Sequence, residues 1–231
     1  MENKKNTILL TVIAVATLLV AVVGATFAYF TAQGGAAVDA NINVATGTSA
    51  SADFGTVNNM TIYADATTFA SGKGNATGTS TGTVSWTAPG QVTGQTAPSE
   101  AERSFCYTVT ITVNSNTFEY SQADSTAELL LNVTKGGTEI TTGLTGLTYA
   151  TVTDGSGATL KGWDITTGTP TIKIPGDSGN IHKIVAAAGA TETNAWSTKV
   201  TLVNLNADQN KNTNKNFAAT LRFEKATCPA A

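Results

Sequence analysis

Val38, Ala40, Ile42 and Val44 are apolar, and Asp39, Asn41 and Asn43 between them are polar. Period-two alternation of this kind marks a strand with one buried face, because successive side chains point to opposite sides of a sheet. Tyr107, Val109, Ile111 and Val113 repeat it against Thr108, Thr110 and Thr112, giving the clearest strand in the chain. Leu129, Leu130 and Leu131 form a continuous apolar run that passes through Asn132-Val133-Thr134 into the turn signal Gly136-Gly137. Further strands are predicted over residues 83–87, 147–153, 159–164, 171–174, 181–187, 199–204 and 217–225. Turn clusters separate them at Asp154-Gly155-Ser156-Gly157 and over residues 175–180. Ser99 and Glu102 have the spacing of a capping box over one helical turn. Residues 71–83 read as a Gly/Thr/Ser-rich surface loop, and residues 204–216 as a solvated Asn/Lys-rich loop. Many short strands with regular turn signals predict an all-β fold, an antiparallel β-sandwich.

The first residues follow a different pattern. Lys4 and Lys5 precede an almost wholly apolar stretch over residues 8–23, and small residues follow at Gly24, Ala25, Thr26 and Ala28. That order is the one of a secretory signal, an apolar helix cut here between Ala28 and Tyr29. A retained anchor is the other reading, since about 20 apolar residues can span a bilayer. A type IV pilin leader does not fit, because no Glu follows the junction until Glu100. The expected organisation is a signal peptide over 1–28, an extended segment over 29–45 and a sandwich over 46–231. The mature protein is expected outside the cell or on its surface. Membrane association is expected only for the uncleaved precursor.

Composition narrows the function classes. The 231 residues carry 13 Lys+Arg against 16 Asp+Glu, a net charge of −3, and charged residues make up only 13%. Nothing here offers clustered cations for phosphates, so no nucleic-acid partner is expected. With 41% hydrophobic residues the chain can bury a sizeable core, and its richness in Thr, Gly and Asn suits strands and turns.

The segment Gly24-Ala25-Thr26-Phe27-Ala28-Tyr29-Phe30-Thr31 resembles the leader junction of the TasA/camelysin family of secreted matrix-fibre proteins. Residues 40–48 sit where that family has its first strand. The run Asn216-Phe217-Ala218-Ala219-Thr220-Leu221-Arg222-Phe223-Glu224-Lys225-Ala226-Thr227 is similar to its last strand, with Lys225 interrupting the family's Phe-Glu-Ala step. The resemblance covers the two ends and leaves the middle of the chain unmatched. It implies a jelly-roll sandwich, cleavage by a dedicated signal peptidase and polymerisation by donor strands in a biofilm matrix.

Catalytic chemistry finds few candidates. Camelysin-type relatives have been classed as metallopeptidases, but a His-Glu-x-x-His helix needs two imidazoles and this chain has one His, His182. A lone His in a strand reads as an ordinary partly buried residue. No Gly-x-Ser-x-Gly elbow surrounds any Ser, and Cys106 with His182 lacks the signature of a nucleophile–base pair. Gly72-Lys73-Gly74 and Gly155-Ser156-Gly157 lack the spacing of a phosphate loop. Asp154 and Asp177 in Gly/Ser turns read as caps of their own backbone rather than calcium ligands. The expectation is a protein that is not an enzyme, with no catalytic residues, cofactor or metal.

Cys106 and Cys228, an even pair in an exported chain, suggest a disulfide; free thiols and a bridge between chains are the alternatives. By strand parity both cysteines fall on outward faces. Sequons occur at Asn59, Asn75 and Asn132, with Asn75 in the Gly-rich loop the most accessible.

Two functions follow. The first is a filament subunit that joins head-to-tail to copies of itself. Its donor strand, led by Tyr29 and Phe30 and carrying Val38, Ala40, Ile42 and Val44, would add to a neighbour's sheet edge. Residues 38–44 could instead be the first strand of their own sandwich, which leaves the donor boundary open. The second is a monomeric adhesin or carbohydrate-binding module using Trp86, Trp163 and Trp196, provided they are exposed together.

Overall fold

A computed structural model describes residues 49–229 apart from 66, 71 and 93. The expected signal segment, the Ala28/Tyr29 junction and the donor residues Tyr29, Phe30, Val38, Ala40, Ile42 and Val44 lie outside the described residues. Among the described residues the chain forms two antiparallel sheets and almost no helix. The strands are β1 (Ser51–Phe54), β2 (Asn59–Ala64), β3 (Ala76–Thr87), β4 (Ser104–Asn116), β5 (Leu129–Lys135), β6 (Thr138–Glu139), β7 (Tyr149–Thr153), β8 (Thr159–Asp164), β9 (Thr171–Lys173), β10 (Ile181–Val185), β11 (Thr191–Leu202) and β12 (Lys215–Ala226). The larger sheet runs β1-β3-β11-β5-β8-β7, with β6 beside β5; the smaller runs β10-β4-β12-β2, with β9 beside β4. Their inner faces enclose one core containing Val109, Ile111, Leu131, Val200, Phe217 and Leu221, so the chain is a β-sandwich. No helix among the described residues is long and apolar enough to cross a membrane.

The alternating pattern placed β4 correctly: Tyr107, Val109, Ile111 and Val113 are buried. Ser99 and Glu102 form the expected capping box, with Ser99 N donating to Glu102 Oε2 at 2.8 Å and Glu102 N donating back to Ser99 Oγ.

The loop expected over residues 71–83 is mostly strand, because β3 begins at Ala76 and pairs with β11 along its whole length. Its inward positions are Gly78, Ser80 and Gly82, which carry no apolar signal. Crowding requires them to be small: a Cβ on Gly78 would meet the Thr61 carbonyl oxygen at 2.6 Å, and one on Gly82 would meet the Phe223 ring at 2.5 Å.

The solvated loop expected over residues 204–216 is also corrected. Gln209 and Asn212 are buried, and a short 3₁₀ turn spans Asn210–Asn212. Their partner is Glu128, just before β5 and fully buried. Glu128 Oε1 accepts from Ser121 N at 2.6 Å, and Oε2 accepts from Gln209 Nε2 at 2.6 Å and Asn212 Nδ2 at 2.8 Å. The Asn212 amide also exchanges bonds with the backbone of Glu119. Loops 117–128 and 203–214 are thereby fastened to each other by this carboxyl group together with the direct Asn212–Glu119 and Gln122–Asp208 bonds.

Candidate functional site

Cys106 and Cys228 are joined, with their Cα atoms 5.1 Å apart. The bridge ties the central strand β4 to the tail that follows β12, beside the Cys106–Ala226 register position. The outward placement expected for both is corrected for Cys106, which is 1% exposed. Parity assigned the face properly, but β10 and β12 flank this position on both sides and the disulfide closes over it.

The three tryptophans do not share an exposed groove. Trp86, Trp163 and Trp196 are all buried, and their indole N–H groups donate to Arg103 O, Ile140 O and Tyr107 Oη respectively. A sugar-stacking platform of these three rings is therefore absent from the described residues.

His182 is more deeply buried than the sequence suggests, at 1% exposure. Its ring lies 5.3 Å from the Tyr107 ring and 4.8 Å from the Trp196 ring, and neither ring nitrogen has a hydrogen-bond partner. Burial, assisted by the Lys135 ammonium and opposed by Asp177, holds the imidazole down to about 4. The unfolded chain takes up this proton near 6.5, whereas the fold refuses it until about 4. Stability attributable to His182 is thus intact above 6.5 and is lost as pH falls through that window. The loss is on the order of 2–3 kcal/mol after allowance for solvent screening. Chemical denaturation between pH 7 and 4 tests this against His182→Leu, for which that part of the pH dependence should vanish.

Among the described residues no group of three or more His, Cys, Asp or Glu is placed to hold a metal ion. Asp154 Oδ1 accepts from Ser156 N, Ser156 Oγ and Ala158 N, and its Oδ2 accepts from Asn75 Nδ2 at 2.7 Å. These bonds, led by the Ser156 hydroxyl, pull its carboxyl down to about 2. The Asp177 carboxylate accepts from Lys183 N at 2.7 Å.

Asn75 is not the most accessible sequon. It is half-buried, and its carboxamide is occupied at both ends, by Asp154 and by Asn204 N. Asn132 donates to Glu139 Oε1 and Lys161 O. Asn59 is exposed, and its carbonyl oxygen accepts from the Thr220 hydroxyl.

For a protein expected to act by strand addition, the sheet edges matter most. Edges left open are templates for pairing with another chain. Strand β2 turns its outer backbone onto β3 at Gly78, and β1 is four residues long with Phe54 stacked on Phe223. Strand β9 is three residues long between Pro170 and Pro175. On β10 the outward backbone of Ile181 pairs with Ser178, and that of Lys183 donates to Asp177. Among the described residues the backbone of β7 pairs only with β8.

Beside β7 lies a cavity of about 410 Å³ walled by Thr153, Leu205, Ala207, Gln122 and Asp124. A second, of about 420 Å³, lies over the Thr/Ser-rich outer face of β3 and β11 at Thr81, Thr83 and Ser197. Sequence reasoning missed both, because they arise from loops and strands brought together by the fold. No protein-family model matches the sequence, and neither a curated protein nor a solved structure matches the chain.

Proposed function

We propose that the chain is the structural subunit of an extracellular filament, exported behind an apolar signal helix and cleaved between Ala28 and Tyr29 by a signal peptidase. The mature start, residues 29–45, then serves as the donor strand for a neighbouring jelly-roll sandwich. The observation that carries this reading is the leader-junction sequence followed at once by the alternating Val38, Ala40, Ile42 and Val44. An extended segment with apolar residues at every second position can add to an open edge, making backbone bonds while alternate side chains fill pockets. Donor and acceptor surfaces differ, so the contact is head-to-tail and propagates. The disulfide supports an oxidising compartment. The buried tryptophans give no support to a carbohydrate-binding module.

Electron microscopy of the mature chain, residues 29–231, beside a version lacking 29–44 tests the proposal. Filaments from the first and monomers from the second are expected. Filaments from both would move the contact away from the donor segment, and monomers from both would overturn the fibre reading.

A further inference from the structure

The β7–β8 hairpin lies partly over the outer face of the larger sheet. Val152 is buried there against Leu130, Ala127 and Val203, with Ala150, Leu160 and Leu205 half-exposed around them. The bonds Asp154 N to Ala158 O and Asp164 N to Thr148 O fix the hydrogen-bonding phase of the hairpin. Even-numbered residues of β7 bond to β8, so the N–H and C=O groups of Tyr149, Thr151 and Thr153 point outward. No backbone bond reaches that side among the described residues. The cavity of about 410 Å³ is lined by Thr153 together with Gln122, Ala123, Asp124 and Thr126. β7 is thus an edge strand with a cavity at its Thr153 end, whereas the β2, β9 and β10 edges are closed, short or capped.

We infer that the outer edge of β7 is the acceptor for residues 29–45 of a second copy of this chain, an inference that rests on the filament reading. Three observations select this occupant. The first is where the described chain begins. β1 begins at Ser51 opposite Thr87, at one end of β3, whereas the hairpin tip touches Asn75 and Asn204 at the other. A donor leaving one end and an acceptor at the opposite end give head-to-tail growth.

The second is side-chain parity. A strand paired to β7 continues both of its faces. The apolar set Val38, Ala40, Ile42 and Val44 extends the layer of Ala150, Val152 and Leu205, and Asp39, Asn41 and Asn43 join Thr151 and Thr153 on the other face, beyond Tyr149, which packs on Trp163. The third is charge. Exposed Lys161 lies beside Thr151 on that second face of the hairpin, as Asp39 does on the donor.

The test uses the mature chain and its Thr151→Pro variant. Proline at this position removes an outward N–H that the hairpin does not use, so the monomer should fold with its disulfide intact. Its critical concentration for filament formation, read by light scattering, should rise about tenfold or more. Amide exchange of the unsubstituted protein is measured in parallel, and Tyr149, Thr151 and Thr153 should become protected only on assembly. This second readout decides the matter if the variant does not fold. Normal filaments from Thr151→Pro, protection appearing at β9 or β10 instead, or protection already complete in the monomer would each overturn the acceptor assignment while leaving the fibre standing. Failure of the unsubstituted chain to form filaments would overturn the fibre reading itself.

Discussion

Replacing both cysteines, Cys106→Ala with Cys228→Ala, is expected to lower the unfolding free energy by about 4–5 kcal/mol. The size follows from the sequence separation of 122, since a cross-link closing so long a loop removes much of the freedom of the unfolded chain. The cysteines are 1% exposed and half-buried, so an alanine at position 106 avoids leaving a buried polar group without a partner. In a chain of this size the melting temperature should fall by about 10–20 °C. Differential scanning calorimetry of the double variant against the parent measures this, and reductant should shift the parent toward the variant. A second effect is local. Residues 227–229 follow the last strand, and the bridge holds them beside β4. Proteolysis should therefore clip the variant's C-terminus first. An unchanged melting temperature would mean that the bridge adds no constraint that the strand pairing has not already imposed.

Much of the sandwich was readable along the chain wherever inward positions carry bulky apolar side chains. β4, β5, β8 and β12 lie close to the expected spans because Ile111, Leu131, Trp163 and Phe217 mark their buried faces. The first half of β3 did not follow this rule. Its inward residues are Gly78, Ser80 and Gly82, chosen by the nearness of Thr61 and Phe223, and that proximity exists only after folding. The first half of β11 was hidden for a related reason. Thr191, Glu192, Thr193 and Asn194 lie at its exposed or half-exposed end, where nothing requires apolar residues. β1 and β2 fall outside the expected spans, although β2 alternates Met60, Ile62 and Ala64 inward with Asn59, Thr61 and Tyr63 outward. Length does not explain this, since β9 and β10 are shorter than β2.

The functional residues divide in the same way. The cysteine pair followed from count and compartment, a local inference that the fold bears out. An acceptor edge cannot be read locally, because whether a strand has one neighbour or two depends on the whole sheet order. Nothing in Tyr149-Ala150-Thr151-Val152-Thr153 distinguishes it from an interior strand. The Asn/Lys-rich residues 204–216 are the clearest case of composition misleading. Polar residues are normally solvated, but Gln209 and Asn212 reach a buried carboxyl group that is distant in sequence.

That carboxyl group supports the second large effect. Glu128→Ala is expected to cost about 3–5 kcal/mol. All three groups aimed at Glu128 are donors: Ser121 N, Gln209 Nε2 and Asn212 Nδ2. Only a side chain that accepts at both oxygens satisfies them, and removing it leaves buried donors unpaired as well as opening space. Glu128→Gln is the informative companion. It keeps the shape but turns an NH₂ group toward a donor, so it should still lose part of the stability, about 1–3 kcal/mol. The damage should be uneven. This group is one of the links between loops 117–128 and 203–214, whereas the β4–β12 ladder is paired without it. Amide exchange should therefore quicken first in those two loops, while the centre of the β4–β12 ladder keeps its protection. The same loops supply Asp124 and Leu205 to the cavity beside β7. If that edge receives the donor, the Glu128 variants should also assemble poorly at temperatures where their strands remain folded. Uniform loss of protection over all strands would show instead that the carboxyl group holds the whole sandwich rather than one end of it.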